Sequence, residues 1–149
     1  MNNKVAEEQD TVKLLKECDA GVKMGVKSID DVMEYVQSND LNQILMESKI
    51  EHEKMQKDLN TILDNFHADG KDPNMMAESM SWMKTTFKLG MNENDHTIAD
   101  LITDGCNMGV KSLNKYLNQY SNADKRAKDI TKRLIDLEKS LQFKMESYL

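Results

Sequence analysis

Residues 21–28 read GVKMGVKS and residues 105–112 read GCNMGVKS, six matches in eight at an offset of 84. Each copy sits within a long run whose apolar residues recur every three or four positions, which marks one face of an amphipathic helix. In the first run the stripe is Leu15, Cys18, Val22, Val26, Ile29, Val32 or Met33, and Val36. In the other it is Ile98, Ile102, Cys106, Gly109, Leu113, Tyr116 and Tyr120. Both runs end on a polar break, Ser38-Asn39-Asp40 in one case and Ser121-Asn122 followed by Asp124 in the other. Such side chains compete for backbone hydrogen bonds and cap the helix that follows. The shared segment and the matching breaks predict a duplicated helical hairpin.

Working outward, each break is followed by a second stripe. Leu41, Leu45, Ser48, His52, Met55, Leu59, Ile62 and Phe66 form one, and Ala127, Ile130, Leu134, Leu137, Leu141, Met145 and Tyr148 form the other. The four long segments have similar lengths of about 26 residues, hence ~40 Å, and matched lengths suit a four-helix bundle. The first hairpin, about 11–67, ends near Ala68-Asp69-Gly70-Lys71, where Gly70 is the expected left-handed stop. The second hairpin is about 95–149. Between them, residues 68–94 restart at Asp72-Pro73 and carry a shorter stripe of Met76, Met80, Met83 and Phe87 beside Trp82. A helix of about 17 residues there, with its flanking loops, can run the length of the bundle and return the chain to its starting end. The expected fold is therefore all-α, a single domain over 1–149.

The repeated segment contains Gly-x-x-x-Gly twice, Gly21 with Gly25 and Gly105 with Gly109. Each glycine inside a helix costs about 1 kcal/mol against alanine. All four are therefore expected to permit close backbone approach or to make room for a neighbour's side chain. Folding the first hairpin about Ser38-Asn39 sets Gly25 opposite His52.

Composition narrows the function classes. The formal net charge of −6 argues against nucleic acid, because phosphate binding needs a concentrated basic face. Lys125, Arg126, Lys128, Lys132 and Arg133 make the one candidate basic surface, interleaved with Asp129 and Asp136 in the manner of a solvated helix face. No run approaches the roughly 18 apolar residues of a membrane span. The polar, acidic start lacks the apolar core of a signal peptide. Two cysteines without a Cys-x-x-Cys pair point to free thiols in a reducing compartment. A cytoplasmic protein without a membrane partner is expected.

Three short patterns make the chain resemble a group of uncharacterised bacterial ferritin-like proteins, known as domains of unknown function. They are Glu17-Cys18 followed by Gly21, Cys106 followed by Gly109 and Tyr116, and Trp82 with Lys84 and Lys88. The resemblance covers most of residues 12–148. It implies the ferritin-like topology, two hairpins joined by a long crossover, and no settled activity.

A ferritin-like di-metal site takes an inward Glu from each of two helices and Glu-x-x-His from each of the other two. On the stripes as read, His52 is the sole inward imidazole and the only candidate ligand. Lys49 stands three residues before it, and Asp136, Leu137 and Glu138 in the fourth helix have no histidine near them. The pairs Asp64-x-x-His67 and Glu93-x-x-His96 fall at opposite ends of the bundle. His52 is expected to be a core histidine bonded to Ser48 or a main-chain carbonyl. Cys18 and Cys106 are expected to be buried, inert thiols, since Glu17 and Asp19 flank the first and reactive thiols need an electropositive setting. Metals, cofactors and catalytic residues are thus not expected. The favoured role is that of a non-catalytic structural or protein-interaction protein, self-associating as a homo-oligomer. The alternative is a metal- or oxygen-handling ferritin-like protein with a degenerate metal site, and a redox-sensing thiol protein ranks third.

Overall fold

The computed structural model describes residues 2–68, 70 and 94–149. Among them there are four long α-helices and no strand. They are α1 (Asn2–Met33), α2 (Asn39–Asn65), α3 (Asp95–Gln119) and α4 (Lys125–Met145), the last followed by a single 3₁₀ turn, Glu146–Tyr148. The first helix starts nine residues before the expected boundary of the hairpin, so the polar N-terminal stretch extends α1. Trp82, Lys84, Lys88, the Asp72-Pro73 restart and the methionine stripe of the crossover lie outside the described residues.

The helix starts follow from capping chemistry. Ser38, Asn94 and Asp124 each hold extended backbone and accept a hydrogen bond from the amide three residues on, at 3.2, 2.9 and 2.8 Å respectively. Each satisfies one of the donors that a helix N-terminus leaves without a partner. The stop of α2 differs from expectation. His67, not Gly70, takes the left-handed conformation, with φ 52°. The amides of His67 and Ala68 then reach back to the carbonyls of Asp64 and Leu63, the paired bonds of a Schellman motif.

Polar clamps at the two ends fix how the hairpins meet. The Asp95 carboxylate accepts from the amides of Gln37 and Ser38 at 2.8 and 2.9 Å, tying the start of α3 to the α1–α2 turn. At the other end Asp10 and Thr11 accept from the amides of Asn122 and Asp124 at 3.0 and 2.8 Å, tying α1 to the α3–α4 turn. Helices α1 and α3 therefore run antiparallel, and α2 ends at the opposite end from where α3 begins. Helices α2 and α4 are antiparallel too, because His52 meets Glu138 while Asp58 meets Arg133. By contrast α1 and α4 are parallel, with Cys18 beside Thr131 and Gly21 beside Leu134.

All four helices contribute to each of two apolar clusters. One includes Leu14, Leu15, Leu59, Leu63, Leu113 and Leu134. The other includes Ile29, Leu41, Leu45, Ile98, Leu141 and Met145. Burying a leucine or isoleucine contributes about 1.5–3 kcal/mol, so these clusters supply most of the drive to assemble. No described helix is long and apolar enough to cross a membrane.

Candidate functional site

The region between the two clusters is polar, and His52 is at its centre. It comes from the inward stripe of α2 and is 1% exposed. Its Nδ1 lies 2.7 Å from the carbonyl oxygen of Ser48 and 3.4 Å from the Ser48 hydroxyl. Because a carbonyl only accepts, Nδ1 carries a hydrogen and donates it one helical turn back. Gly25 of α1 closes one side of the ring as expected: a Cβ on that residue would lie 2.6 Å from Cδ2 and 2.7 Å from Nε2.

The second nitrogen has a partner the apolar stripes did not indicate. Nε2 is 2.6 Å from Oε1 of Glu138 on α4, and Glu138 is itself buried. The stripe read from the sequence put Leu137 inward, but Leu137 is only partly buried. Thr131 and Glu138 face the core together with Ala127, Leu134, Leu141 and Met145. Positions 127, 131, 134, 138, 141 and 145 alternate steps of four and three, the spacing of a helix seam in a bundle. That alternation was the available signal, and the apolar character of Leu137 masked it.

Burial works against the imidazolium of His52. It is outweighed by the hydrogen bond and charge of Glu138, by the Ser48 carbonyl and by the charge of Glu51, so the group titrates above its ordinary value of 6.5. Cys106 of α3 completes the cluster. Its buried thiol is pushed well up, first by burial and then by the carboxylate of Glu138. Gly109 of α3 also borders Glu138, and its added Cβ would be 3.6 Å from Oε2, an ordinary contact.

Cys18 belongs to a separate chain of hydrogen bonds. Its Sγ is 3.1 Å from Oγ1 of Thr131, whose hydroxyl donates to the Ala127 carbonyl at 2.7 Å. The thiol therefore donates to Thr131. Burial, reinforced by Glu17 and Asp19, pushes Cys18 up to about 12. Both cysteines are free and buried. Neither has the electropositive, open setting of a reactive thiol.

The other predicted positions divide as follows. Among the four repeated glycines, only Gly25 stands where a Cβ would collide with a described neighbour. Gly21 would meet Leu134 at 3.9 Å, and Gly105 has no described atom within 4 Å. His67 closes α2 and His96 lies in the first turn of α3, at opposite ends of the molecule, and Glu93 is outside the described residues. The basic residues at the start of α4 form the wall of a shallow cleft with Asp58, Thr61 and Ile62 of α2. Lys125 pairs with Asp129 at 2.7 Å, Arg133 with Asp58 at 3.6 Å, and Lys128 donates to the Ser121 carbonyl, so these cations are engaged within the chain.

As chemistry, the central cluster is a buried acid–base pair. Described residues contain no group of three or more His, Cys, Asp or Glu side chains placed to hold a metal ion. A cation at His52 would have to displace either the Ser48 carbonyl or Glu138. The chain matches no protein-family model and no curated protein.

Proposed function

We propose that this is a non-catalytic protein built on a duplicated ferritin-like hairpin, and that it acts through contact with other protein chains, including copies of itself. The duplication has support beyond the shared GVKMGVKS-type segment. Ser38 and Asp124 cap equivalent helices and His52 and Glu138 face each other, and both pairs are 86 residues apart. Gly25 borders His52 as Gly109 borders Glu138, an offset of 84 that equals that of the repeated segment. The antiparallel run of α1 and α3 supports the ferritin-like order of helices.

The observation that carries the non-catalytic reading is how fully the polar groups around His52 and Cys18 use one another. Both nitrogens of His52, a carboxylate oxygen of Glu138, the Cys18 thiol and the Thr131 hydroxyl already have partners. At His52 a substrate would find neither a poised nucleophile nor an imidazole nitrogen with a vacant lone pair. Recognition then falls to the outer helix faces, which present Met46, Ile50, Met108 and, at 71% exposure, Phe143. A cytoplasmic setting fits the two free thiols.

Sedimentation velocity over a wide range of protein concentration tests the self-association. Formation of a discrete oligomer that Phe143→Ser or Ile50→Ser disperses is the expected result. A monomer throughout, together with stoichiometric iron, manganese or zinc in protein purified without an affinity tag, would replace this reading with the metal- or oxygen-handling alternative.

A further inference from the structure

The His52–Glu138 contact joins the two hairpins at mid-length, and its geometry fixes the number of protons the seam must hold. The Ser48 carbonyl requires a hydrogen on Nδ1. Between Nε2 and Oε1, 2.6 Å apart, one further proton must lie, whichever atom it is formally bonded to. Remove it and an imidazole lone pair faces a carboxylate oxygen at that distance. Moving the remaining ring hydrogen to Nε2 only transfers the conflict to Nδ1, which would then oppose the Ser48 carbonyl at 2.7 Å.

Relief by rotation is blocked on one side. The backbone of α1 at Gly25 approaches the ring so closely that even a methyl group would overlap it. Among the described residues, the neighbours cannot neutralise the carboxylate either. Helix α2 contributes Glu51, α3 contributes the Cys106 thiol, α4 contributes Glu138 itself, and α1 presents Gly25; none of these is a cation.

We propose that the His52–Glu138 contact is a proton-held latch between the hairpins: with the shared proton in place the α2–α4 seam is closed, and loss of that proton opens it at mid-length and bares Cys106. The direction of the His52 shift agrees, since the closed seam holds its proton above the ordinary histidine value of 6.5. Opening therefore becomes easier as pH rises from that value toward the raised one, and closing binds a proton. The latch is independent of whether the protein self-associates.

The test follows the labelling rate of Cys106 by a small aromatic disulfide reagent in the full chain carrying Cys18→Ala. A buried thiol that is exposed by a pH-independent opening reacts about tenfold faster per pH unit, through its thiolate alone. With the latch, release of a second proton multiplies this, giving about a hundredfold rise per unit just above pH 6.5, then a return to tenfold once the latch has emptied. Glu138→Gln should show the tenfold dependence throughout. A tenfold slope from the outset in the parent chain, or a hundredfold slope retained in Glu138→Gln, overturns the proposal. Should Glu138→Gln fail to fold, the parent chain still decides: an NMR titration in which the His52 imidazole loses its proton with no extra rise in labelling also overturns it.

Discussion

Replacing Gly25 with alanine adds a single methyl group at the tightest point of the structure. Helix propensity favours the change by about 1 kcal/mol. Against it, the new Cβ would stand 2.6 Å from Cδ2 and 2.7 Å from Nε2 of a ring that is 1% exposed. Overpacking of this kind costs about 1–3 kcal/mol. Moving the ring aside also loosens its 2.6 Å bond to Glu138, and hydrogen bonds to charged groups contribute about 1.5–3 kcal/mol. The balance is a net loss of about 3 kcal/mol. With a urea m-value of about 1.5 kcal/mol/M, the midpoint of unfolding drops by about 2 M. The same substitution at Gly105, with no described atom within 4 Å, should gain about 1 kcal/mol instead. A second arm isolates the cause: in a His52→Ala background the methyl group has room, so Gly25→Ala should no longer destabilise. An unchanged or raised midpoint for Gly25→Ala alone would show that the glycine is not there for the ring. A full loss that persists without the imidazole would place the strain elsewhere.

Three further outcomes follow from the geometry. Stability should decline as pH rises: His52 titrates higher folded than its ordinary 6.5, so its contribution is complete below that value and is lost as pH climbs through the raised one. Urea midpoints for the parent chain and His52→Gln should therefore converge with rising pH, and parallel curves would refute it. His67→Gly should stabilise by about 1 kcal/mol, because an L-residue at φ 52° carries a cost that glycine does not; a lower thermal midpoint would contradict this. Asp95→Ala should cost about 1–2 kcal/mol and speed amide exchange at Gln37 and Ser38, whose N–H groups it would leave without their carboxylate acceptor; unchanged exchange at both amides would count against the clamp.

Most of the architecture was legible because helix boundaries are written in local chemistry. Ser38 and Asp124 are caps that stand in the polar breaks, and the apolar stripes identify Leu41, Leu45, Leu59, Ile98, Leu134 and Met145 as core. Tertiary clamps were less visible. That Asp95 receives two amides from a turn 57 residues earlier depends on how the hairpins are stacked, and no local pattern encodes it. The stop of α2 was misread for a related reason. Glycine is the usual left-handed residue, yet the Schellman bonds form three residues sooner, on His67, where Leu63 is still held in the core.

Glu138 shows why an interior site is harder to see than an interior. Hydrophobic patterning assigns each helix face by its apolar members, so a seam position occupied by a carboxylate is assigned to water and the nearby Leu137 takes its place. What overrules that assignment is the partner. Glu138 can be buried because His52 meets it across the seam, and His52 can be buried because Glu138 and the Ser48 carbonyl take both its nitrogens. Neither residue has a satisfied place in the core without the other, and they are 86 positions apart on different hairpins. Neither the apolar stripe nor the offset of 84 between the two GVKMGVKS-type segments reaches Glu138, since that offset carries 52 to Asp136; the alternating four-and-three spacing of α4 does place 138 on the seam. A buried polar pair of this kind is found by asking which seam positions of two helices face each other, because each side chain then supplies the partner that lets the other leave water.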